Sequence, residues 1–215
     1  PKHAAAATAD GAFYNTGQSC CAVERLYVHQ AIWEPFVREL ETTVRGFVMG
    51  DPTDPNTYIG PLARRELALA TLEDQVADAL HRGAKLLTGG RRASRPGFFF
   101  EPTVLVDVTH DMKVMRDESF GPVIGVMKVR SDEEARERMA DTEYGLTAAV
   151  YSPSRARAEA ILSTLDVGTA YWNCCDRVSP RLPWSGRGHS GIGCTLSTYG
   201  IEAFLKPKAY HLRAG

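Results

Sequence analysis

The sequence predicts an α/β domain with a largely parallel sheet flanked by helices. Short apolar, β-branched or aromatic runs alternate with stretches of helical periodicity between Val23 and Trp172. The composition, 44% hydrophobic and 24% charged, is ordinary for a globular chain. With 215 residues, the chain is long enough to bury one sizeable core, and it contains no internal repeat or low-complexity segment. We therefore expect a single folded unit.

The first half of the chain contains the longer predicted helices. Residues 3–14 are rich in alanine and should form a helix, and residues 23–28 should form a strand. Apolar residues at helical spacing predict amphipathic helices over 31–47 and 62–82. Glycine and proline between residues 50 and 61 indicate a long loop that separates these two helices.

The second half alternates short strands with shorter helices. Pro102 lies inside the strand expected at 98–108 and implies an edge or a break there. Ser131 and Glu134 form a capping-box pattern at the start of a helix over 131–140, and Pro153 lies in the first turn of a helix over 153–165. The remaining strands are expected at 84–87, 123–129, 147–151 and 169–172.

A loop-rich stretch follows Trp172, and a final strand is expected at 206–212. This strand is isolated in the sequence, so it needs a partner edge, which another subunit could supply.

Charge and hydropathy exclude several kinds of partner. The formal net charge is −1, so neither a nucleic-acid partner nor a membrane surface is expected. No apolar run approaches the roughly 18 residues that a membrane-spanning helix requires.

The five cysteines indicate the redox environment of the protein and bear on metal binding. Two adjacent pairs and one single residue make a poor disulfide framework, which favours a reducing, cytoplasmic location. Neighbouring cysteines do not supply the spacing of a structural zinc site, so no metal is expected. The cysteines are Cys20, Cys21, Cys174, Cys175 and Cys194.

The most informative run reads Phe-Tyr-Asn-Thr-Gly-Gln-Ser-Cys and ends at Cys20. A thiolate at Cys20 could attack a carbonyl carbon and form a covalent intermediate. Cys20 could instead pack as a small apolar residue. The preceding Gly17 and Gln18, together with motifs further along the chain, favour the nucleophile.

Four further motifs follow the Cys20 run along the chain. Asp-Glu-Ser-Phe-Gly-Pro at 117–122 leads into the strand expected at 123–129. Gly-Thr-Ala-Tyr-Trp-Asn occupies 168–173, Pro-Trp-Ser-Gly occupies 183–186, and Ser-Gly-Ile-Gly occupies 190–193. Together with the Cys20 run, this series resembles the aldehyde dehydrogenase superfamily over residues 4–212. The resemblance implies a catalytic domain of aldehyde dehydrogenase type over 1–205 and a C-terminal oligomerisation strand or tail over 206–215.

The resemblance assigns roles to individual residues. It implies that Cys20 is the nucleophile, that Glu118 binds the hydroxyls of the cofactor ribose nearest the nicotinamide, and that Phe120 packs near that ring. The cofactor would be NAD or NADP. Aromatic walls would bind the apolar part of an aldehyde, although Tyr14 and Trp184 could equally be core residues. The implied substrate-tunnel residues are Tyr14, Ser19, Cys21, Asn173, Asp176, Val178 and Trp184.

The resemblance also implies a mechanism. The Cys20 thiolate would add to the aldehyde and give a thiohemiacetal, whose oxyanion accepts a hydrogen bond from the Cys20 N–H. Hydride transfer would leave a thioester, and water would hydrolyse it to the carboxylic acid. The complete enzyme is expected to be a homodimer or homotetramer.

Part of the implied machinery lies outside these residues. The family's dinucleotide-binding domain and general-base glutamate would precede Pro1, and a chain that begins with Pro rather than Met indicates a fragment, a processed form or a partial chain. We therefore expect these 215 residues alone not to turn over an aldehyde. The alternatives are a cysteine-dependent esterase or acyl-thioester hydrolase and a non-catalytic assembly piece.

Four further features have open or negative interpretations. Arg177 and Arg181 could bind the carboxylate of an acidic aldehyde or remain solvated. The run at 186–191 fits G-x-G-x-x-G, but a proline-containing loop precedes it, so it is not expected to bind phosphate. His189 should be structural. Cys194 and Thr195 stand where many relatives have Arg-Glu, which leaves a proton relay there in doubt.

Overall fold

The computed structural model describes residues 1–175 and 177–215. These residues form helices and strands in the alternating order that the sequence predicts. The helices are α1 (Lys2–Phe13), α2 (Trp33–Arg45), α3 (Arg65–His81), α4 (Lys113–Arg116), α5 (Asp132–Ala140), α6 (Arg155–Leu162) and α7 (Ser197–Glu202). The strands are β1 (Arg25–His29), β2 (Lys85–Thr88), β3 (Thr103–Val106), β4 (Val123–Val129), β5 (Thr147–Val150) and β6 (Thr169–Trp172).

The strands form two sheets. The larger sheet has the order β1-β4-β3-β2, in which β1, β4 and β3 are parallel and β2 is antiparallel to β3. Arg25 lies opposite Gly125 and Thr103 lies opposite Val123. The smaller sheet pairs β5 with β6 in parallel. The largely parallel α/β architecture is therefore confirmed.

Both faces of the larger sheet are covered by helices, as its composition requires. All four residues of β3 are buried, which is typical of a strand in a parallel sheet covered on both sides. Because side chains alternate along a strand, Val104 joins a core cluster with Phe13 and Leu40, from α1 and α2. Leu105 joins the opposite cluster with Leu72 of α3.

The pairing of two strands in the larger sheet brings distant segments together. Strands β1 and β4 are parallel neighbours, so the chain segments that precede their first residues lie side by side. The segment before Arg25 contains Cys20, and the segment before Val123 contains Glu118 and Phe120. The sheet therefore places the first two predicted motifs next to each other.

Several predicted boundaries change in the structure. The strand expected at 98–108 begins only after Pro102, which confirms the predicted break. Pro153 precedes α6, whose N-terminal cap is Ser154, because the Ser154 side chain accepts a hydrogen bond from the Arg157 N–H. Helix α7 lies in the stretch that the sequence analysis described only as loop-rich.

The strand expected at 206–212 is not formed. Residues 203–215 are exposed, and 206–215 have no regular secondary structure. A strand is stable only when its backbone groups pair with a neighbouring edge, and these residues lie against none in the described chain. Within the same described residues, every helix is too short or too polar to cross a membrane.

Candidate active site

A tight turn carries the chain from α1 to Cys20. Helix α1 ends at the fully buried Phe13, and a short 3-10 turn follows over Tyr14–Gly17. Asn15, Thr16 and Gly17 have consecutive positive φ angles of 50°, 60° and 71°. These conformations are uncommon outside glycine and mark a sharp reversal of the chain. Cys20 emerges from this reversal with its side chain exposed.

The turn is fastened to a loop from elsewhere in the sequence. The Thr16 Oγ1 accepts a hydrogen bond from the Gly60 N–H at 2.9 Å. The Gln18 Oε1 accepts one from the Ala63 N–H at 2.8 Å, and the Gln18 Nε2 donates to the Pro61 carbonyl oxygen at 3.3 Å. The polar residues of the run before Cys20 therefore have a structural role, which is to fix the backbone that presents the thiol.

The same turn packs directly against the second motif. A Cβ atom added to Gly17 would lie 2.2 Å from the Gly121 carbonyl oxygen. Such a contact is impossible without a backbone shift, and the positive φ of Gly17 also disfavours any side chain. The Gly17 position therefore sets how closely the Cys20 turn and the 117–122 loop approach each other.

Three of the predicted tunnel residues form one hydrogen-bonded group. The Tyr14 hydroxyl donates to the Ser19 Oγ at 2.5 Å and lies 3.1 Å from the Cys21 Sγ. The Ser19 Oγ lies 3.4 Å from the same sulfur. Cys21 is buried, while Tyr14 and Ser19 are partly exposed. This group fixes the backbone on both sides of Cys20.

The electrostatic surroundings of Cys20 oppose thiolate formation in this chain. Although the Cys20 residue is exposed, partial desolvation of its thiol raises the pKa above its usual value, and the neighbouring Cys21 raises it further. The backbone N–H of Cys20 lowers the pKa, whereas the charge of Glu118 adds to the rise. The described residues therefore place the thiol in an exposed position but do not activate it.

The loop before β4 presents its residues on alternate sides. Glu118 is exposed, Ser119 is buried, and Phe120 is partly exposed with a positive φ of 49°. An exposed carboxylate can accept two hydroxyl hydrogen bonds at once, which suits the ribose end of a dinucleotide. The residues present therefore fit that end of the cofactor.

Glu24 is a residue of this region that the sequence analysis missed. Its Oε2 accepts a hydrogen bond from the Ser119 N–H at 3.0 Å, and its Oε1 accepts one from the Phe120 N–H at 3.2 Å. Burial raises the pKa of the Glu24 carboxyl to about 7, although these N–H donors act in the opposite direction. The only signal in the sequence was a charged residue inside the strand expected at 23–28.

The later motifs form a separate group. The Asn173 side chain accepts a hydrogen bond from the Ser152 N–H at 2.9 Å and donates one to the Ser152 carbonyl oxygen at 3.1 Å, so it ties the end of β6 to the end of β5. Trp184 is partly exposed and exchanges two backbone hydrogen bonds of 2.8 Å with Thr195. Val178 is 50% exposed, and Asp176 lies outside the described residues.

This second group also contacts the Cys20 helix. The Cys175 thiol donates to the Ala7 carbonyl oxygen of α1 at 3.6 Å. The structure therefore brings Tyr14, Ser19 and Cys21 into one hydrogen-bonded group. The segment around Asn173 lies against helix α1, and within the described residues the structure gives no hydrogen bond from Asn173 to that group.

The remaining predicted features of the loop region are structural or exposed. His189 lies with its Nδ1 3.4 Å from a carboxylate oxygen of Glu143, a partner that is distant in the sequence. Residues 186–191 join no strand to a helix, so this glycine run lacks the strand and helix context of a dinucleotide fingerprint. Arg177 and Arg181 are exposed. Among the described residues, no group of three or more His, Cys, Asp or Glu side chains could hold a metal ion.

Comparisons with known proteins agree with this arrangement. The sequence matches the model of the aldehyde dehydrogenase family over residues 1–210. It is 42% identical over 202 residues to a Deinococcus radiodurans protein named succinate-semialdehyde dehydrogenase (NADP(+)), and the match covers 94% of this chain and 42% of that relative. The chain thus spans about two fifths of the length of the curated relatives it matches.

Solved structures give the same result. The 3,6-anhydro-L-galactose dehydrogenase in complex with NAP superposes with a TM-score of 0.91 at 37% identity, over 95% of this chain and 44% of that one. Lactaldehyde dehydrogenase from Escherichia coli superposes with a TM-score of 0.93 at 31% identity, over 99% of this chain and 44% of that one. The sequence, the fold and these matches together place the chain in the aldehyde dehydrogenase family.

Proposed function

We propose that this chain contributes the nucleophile and part of the cofactor site to the NAD(P)-dependent oxidation of an aldehyde to its carboxylic acid. One observation carries the proposal. The exposed Cys20 follows a backbone turn that packs, through Gly17 and Gly121, against the loop that presents Glu118 and Phe120. A reacting thiol and a hydroxyl-binding carboxylate are thereby held on adjoining rigid segments.

The residues of this chain would divide the work as follows. The Cys20 sulfur would add to the aldehyde carbon, and the thiol proton would leave to solvent or to a base outside these residues. The backbone N–H of Cys20 would donate a hydrogen bond to the resulting oxyanion of the thiohemiacetal. After oxidation the substrate would remain on Cys20 as a thioester, which water hydrolyses to the acid.

The cofactor contacts in this chain would come from two residues. Glu118 would accept hydrogen bonds from the hydroxyls of the ribose nearest the nicotinamide, and Phe120 would pack against the nicotinamide ring. When bound, NAD(P) accepts the hydride. The names of the relatives support a cofactor of this type, since one names NADP(+) and one solved neighbour is a complex with NAP.

The substrate tunnel would begin at the hydrogen-bonded group of Tyr14, Ser19 and Cys21. We propose that Asn173, Asp176, Val178 and Trp184 complete its wall. Partly exposed aromatic rings offer the apolar area and the ring quadrupole that bind the organic part of an aldehyde. The aldehyde-processing names of the relatives support this class of substrate.

We also propose that these 215 residues alone do not turn over an aldehyde. The raised pKa of Cys20 supports this, because an enzyme of this class needs the thiolate and the described residues disfavour it. Residues 1–205 would be the catalytic domain and 206–215 the segment that joins an oligomerisation sheet. The exposed Tyr210 and Leu212 support an interface there. The cysteines form no disulfide within the described residues, which supports a reducing, cytoplasmic location.

The test uses the protein at its natural length. Aldehyde-dependent production of NADH or NADPH is measured for the wild type, for Cys20→Ser and for Cys194→Ser, whose thiol is a matched control in another loop. We expect Cys20→Ser to abolish turnover and Cys194→Ser to retain it. Equal turnover by the wild type and Cys20→Ser would overturn the proposal, whereas hydrolysis of an activated aryl ester without any cofactor reduction would favour the esterase alternative.

A further inference from the structure

Glu24 links the two segments on which the proposed function depends. It lies four residues after Cys20 in the sequence. Its carboxylate accepts hydrogen bonds from the backbone N–H groups of Ser119 and Phe120, which lie 95 and 96 positions further along the chain. The adjacent Arg25 adds a second link, since its Nη1 donates to the Met115 carbonyl oxygen at 3.3 Å. The start of β1 therefore bonds the chain on both sides of the Asp117–Glu118 step.

The chemistry of these bonds requires a carboxylate. A carboxylate is the side-chain group that offers two oxygens as acceptors and no donor, so it can bind two successive backbone N–H groups at once. Above its pKa of about 7 the Glu24 carboxyl is ionised, and hydrogen bonds from an N–H to an ionised acceptor are stronger than those between neutral groups. An amide side chain of the same size could keep only one of the two.

The two bonded N–H groups immediately precede a strained step of the backbone. Phe120 has a positive φ of 49°, a conformation that costs energy for a bulky residue and persists only when its surroundings impose it. The bonds to Glu24 hold the two successive peptide units that carry these N–H groups. In this arrangement Ser119 is buried and the preceding Glu118 is exposed.

We propose that Glu24 is a positioning residue for the cofactor site: its carboxylate holds the Ser119 and Phe120 N–H groups and so sets the orientation in which Glu118 and Phe120 meet NAD(P). This inference rests on the proposed function, because it assumes that Glu118 and Phe120 contact the cofactor. Glu24 itself touches neither substrate nor cofactor; it acts through the backbone of the loop.

The free-energy cost of burying the Glu24 carboxylate supports a functional role for this residue. Ionised carboxylates are rarely buried, and burial of this one raises its pKa to about 7. Residues with such perturbed pKa values concentrate at functional sites, where a feature that lowers stability is retained for another reason. A neutral or apolar side chain would be the more stable choice for packing alone.

The experiment compares wild type, Glu24→Gln and Glu134→Gln in the protein at its natural length. Glu134 is the matched control, because its carboxylate also accepts a backbone N–H, that of Arg130 at 2.8 Å, at the start of the remote helix α5. Two quantities are measured: the hydrogen-exchange rates of the Ser119 and Phe120 amides without cofactor, and the dissociation constants for NAD and NADP by titration.

We expect Glu24→Gln to speed exchange at one or both of the two amides. It should also raise the dissociation constant of the preferred cofactor roughly tenfold, the factor for one lost hydrogen bond to a charged group. Glu134→Gln should change neither quantity, and Glu24→Ala, which removes both acceptors, should raise the dissociation constant further than Glu24→Gln.

The outcomes separate the inference from the proposed function. Faster exchange with an unchanged dissociation constant would overturn the positioning role while the cofactor binding of the wild type still supports the proposed function. Unchanged exchange would overturn the hydrogen-bonded link itself. A wild type that binds neither cofactor would overturn both.

Discussion

Gly17 and Gly121 are in backbone contact: a single added Cβ atom on Gly17 would lie 2.2 Å from the Gly121 carbonyl oxygen. The two residues belong to motifs more than one hundred positions apart, and each is close to a residue of the proposed chemistry, Cys20 in one case and Phe120 in the other. Their contact therefore sets the spacing between the nucleophile turn and the loop that would meet the cofactor.

The first prediction concerns this contact. Gly17→Ala should lower the free energy of unfolding by several kcal/mol, because it adds a backbone clash to the cost of a positive φ, which is about 1 kcal/mol by itself. It should also slow modification of Cys20 by displacing its turn. Chemical denaturation and alkylation kinetics measure these effects.

Gly83→Ala is the matched control for that change. Gly83 has a positive φ of 96°, but an added Cβ would meet no atom within 4 Å. We expect Gly83→Ala to lower the free energy of unfolding only by the cost of placing alanine at a positive φ, about 1 kcal/mol. Equal losses for the two variants would show that the approach of Gly17 to Gly121 contributes nothing to stability.

The second prediction tests the covered sheet. Leu105 on β3 is fully buried against α3 and α4 residues, so Leu105→Ala should lower the free energy of unfolding by about 2–5 kcal/mol. Leu67 on α3 is 59% exposed, and Leu67→Ala should change the free energy of unfolding by less than about 0.5 kcal/mol. Urea denaturation at constant pH provides both values, and a small effect at Leu105 would contradict the burial of the β3 face that packs against α3.

The third prediction is the pH dependence of stability at Glu24. Its pKa is about 7 in the folded chain against 4.5 for an ordinary glutamate, so the folded state binds the proton more tightly than the unfolded state. Stability from this group is therefore highest below about pH 4.5 and is lost as the pH rises to about 7, by about 3 kcal/mol in total. The charge of Glu118 on the facing loop contributes to the shift.

Glu24→Gln should remove this slope. The variant is expected to match the wild type near pH 5 and to be the more stable of the two near pH 8, as measured by denaturation across that range. A wild type whose stability rises between those pH values, by an amount that depends on Glu24, would contradict the assignment.

The fourth prediction concerns the reactivity of Cys20. Because burial and Cys21 raise the pKa of its thiol, alkylation of Cys20 by iodoacetamide in the 215-residue chain should be slower at neutral pH than that of a simple thiol. Cys21→Ser should lower that pKa and speed the reaction. Peptide mapping assigns the modified residue, and alkylation of Cys20 faster than the simple thiol would show that these residues do activate it.

The sequence predicted some parts of this structure better than others. Strand β4 and helix α2 followed directly from β-branched runs and helical spacing, because their burial is repeated along the chain. The strand expected at 206–212 is not formed in the described chain, and it stays a prediction, because a lone strand depends on a partner edge that no local pattern can specify. Helix α7 was missed because its short glycine-containing sequence has no clear apolar period.

The site shows the same division. Cys20 and Glu118 could be singled out because they lie in short local motifs that resemble those of the aldehyde dehydrogenase superfamily. The bonds from Glu24 to Ser119 and Phe120 could not, since they join residues about 95 positions apart through backbone groups that every residue possesses. The contact between Gly17 and Gly121 depends on the strand order, which places β1 beside β4.

The central claim is that Cys20 carries the acyl group during turnover. The most direct measurement is to quench the natural-length protein during reaction with aldehyde and cofactor, or with an activated aryl ester, and to locate the acyl group by tandem mass spectrometry of its peptides. We predict a thioester on Cys20 that is absent from Cys20→Ser. An acyl group on Cys21 or Cys194, or full turnover with Cys20 unmodified at every time point, would contradict the claim.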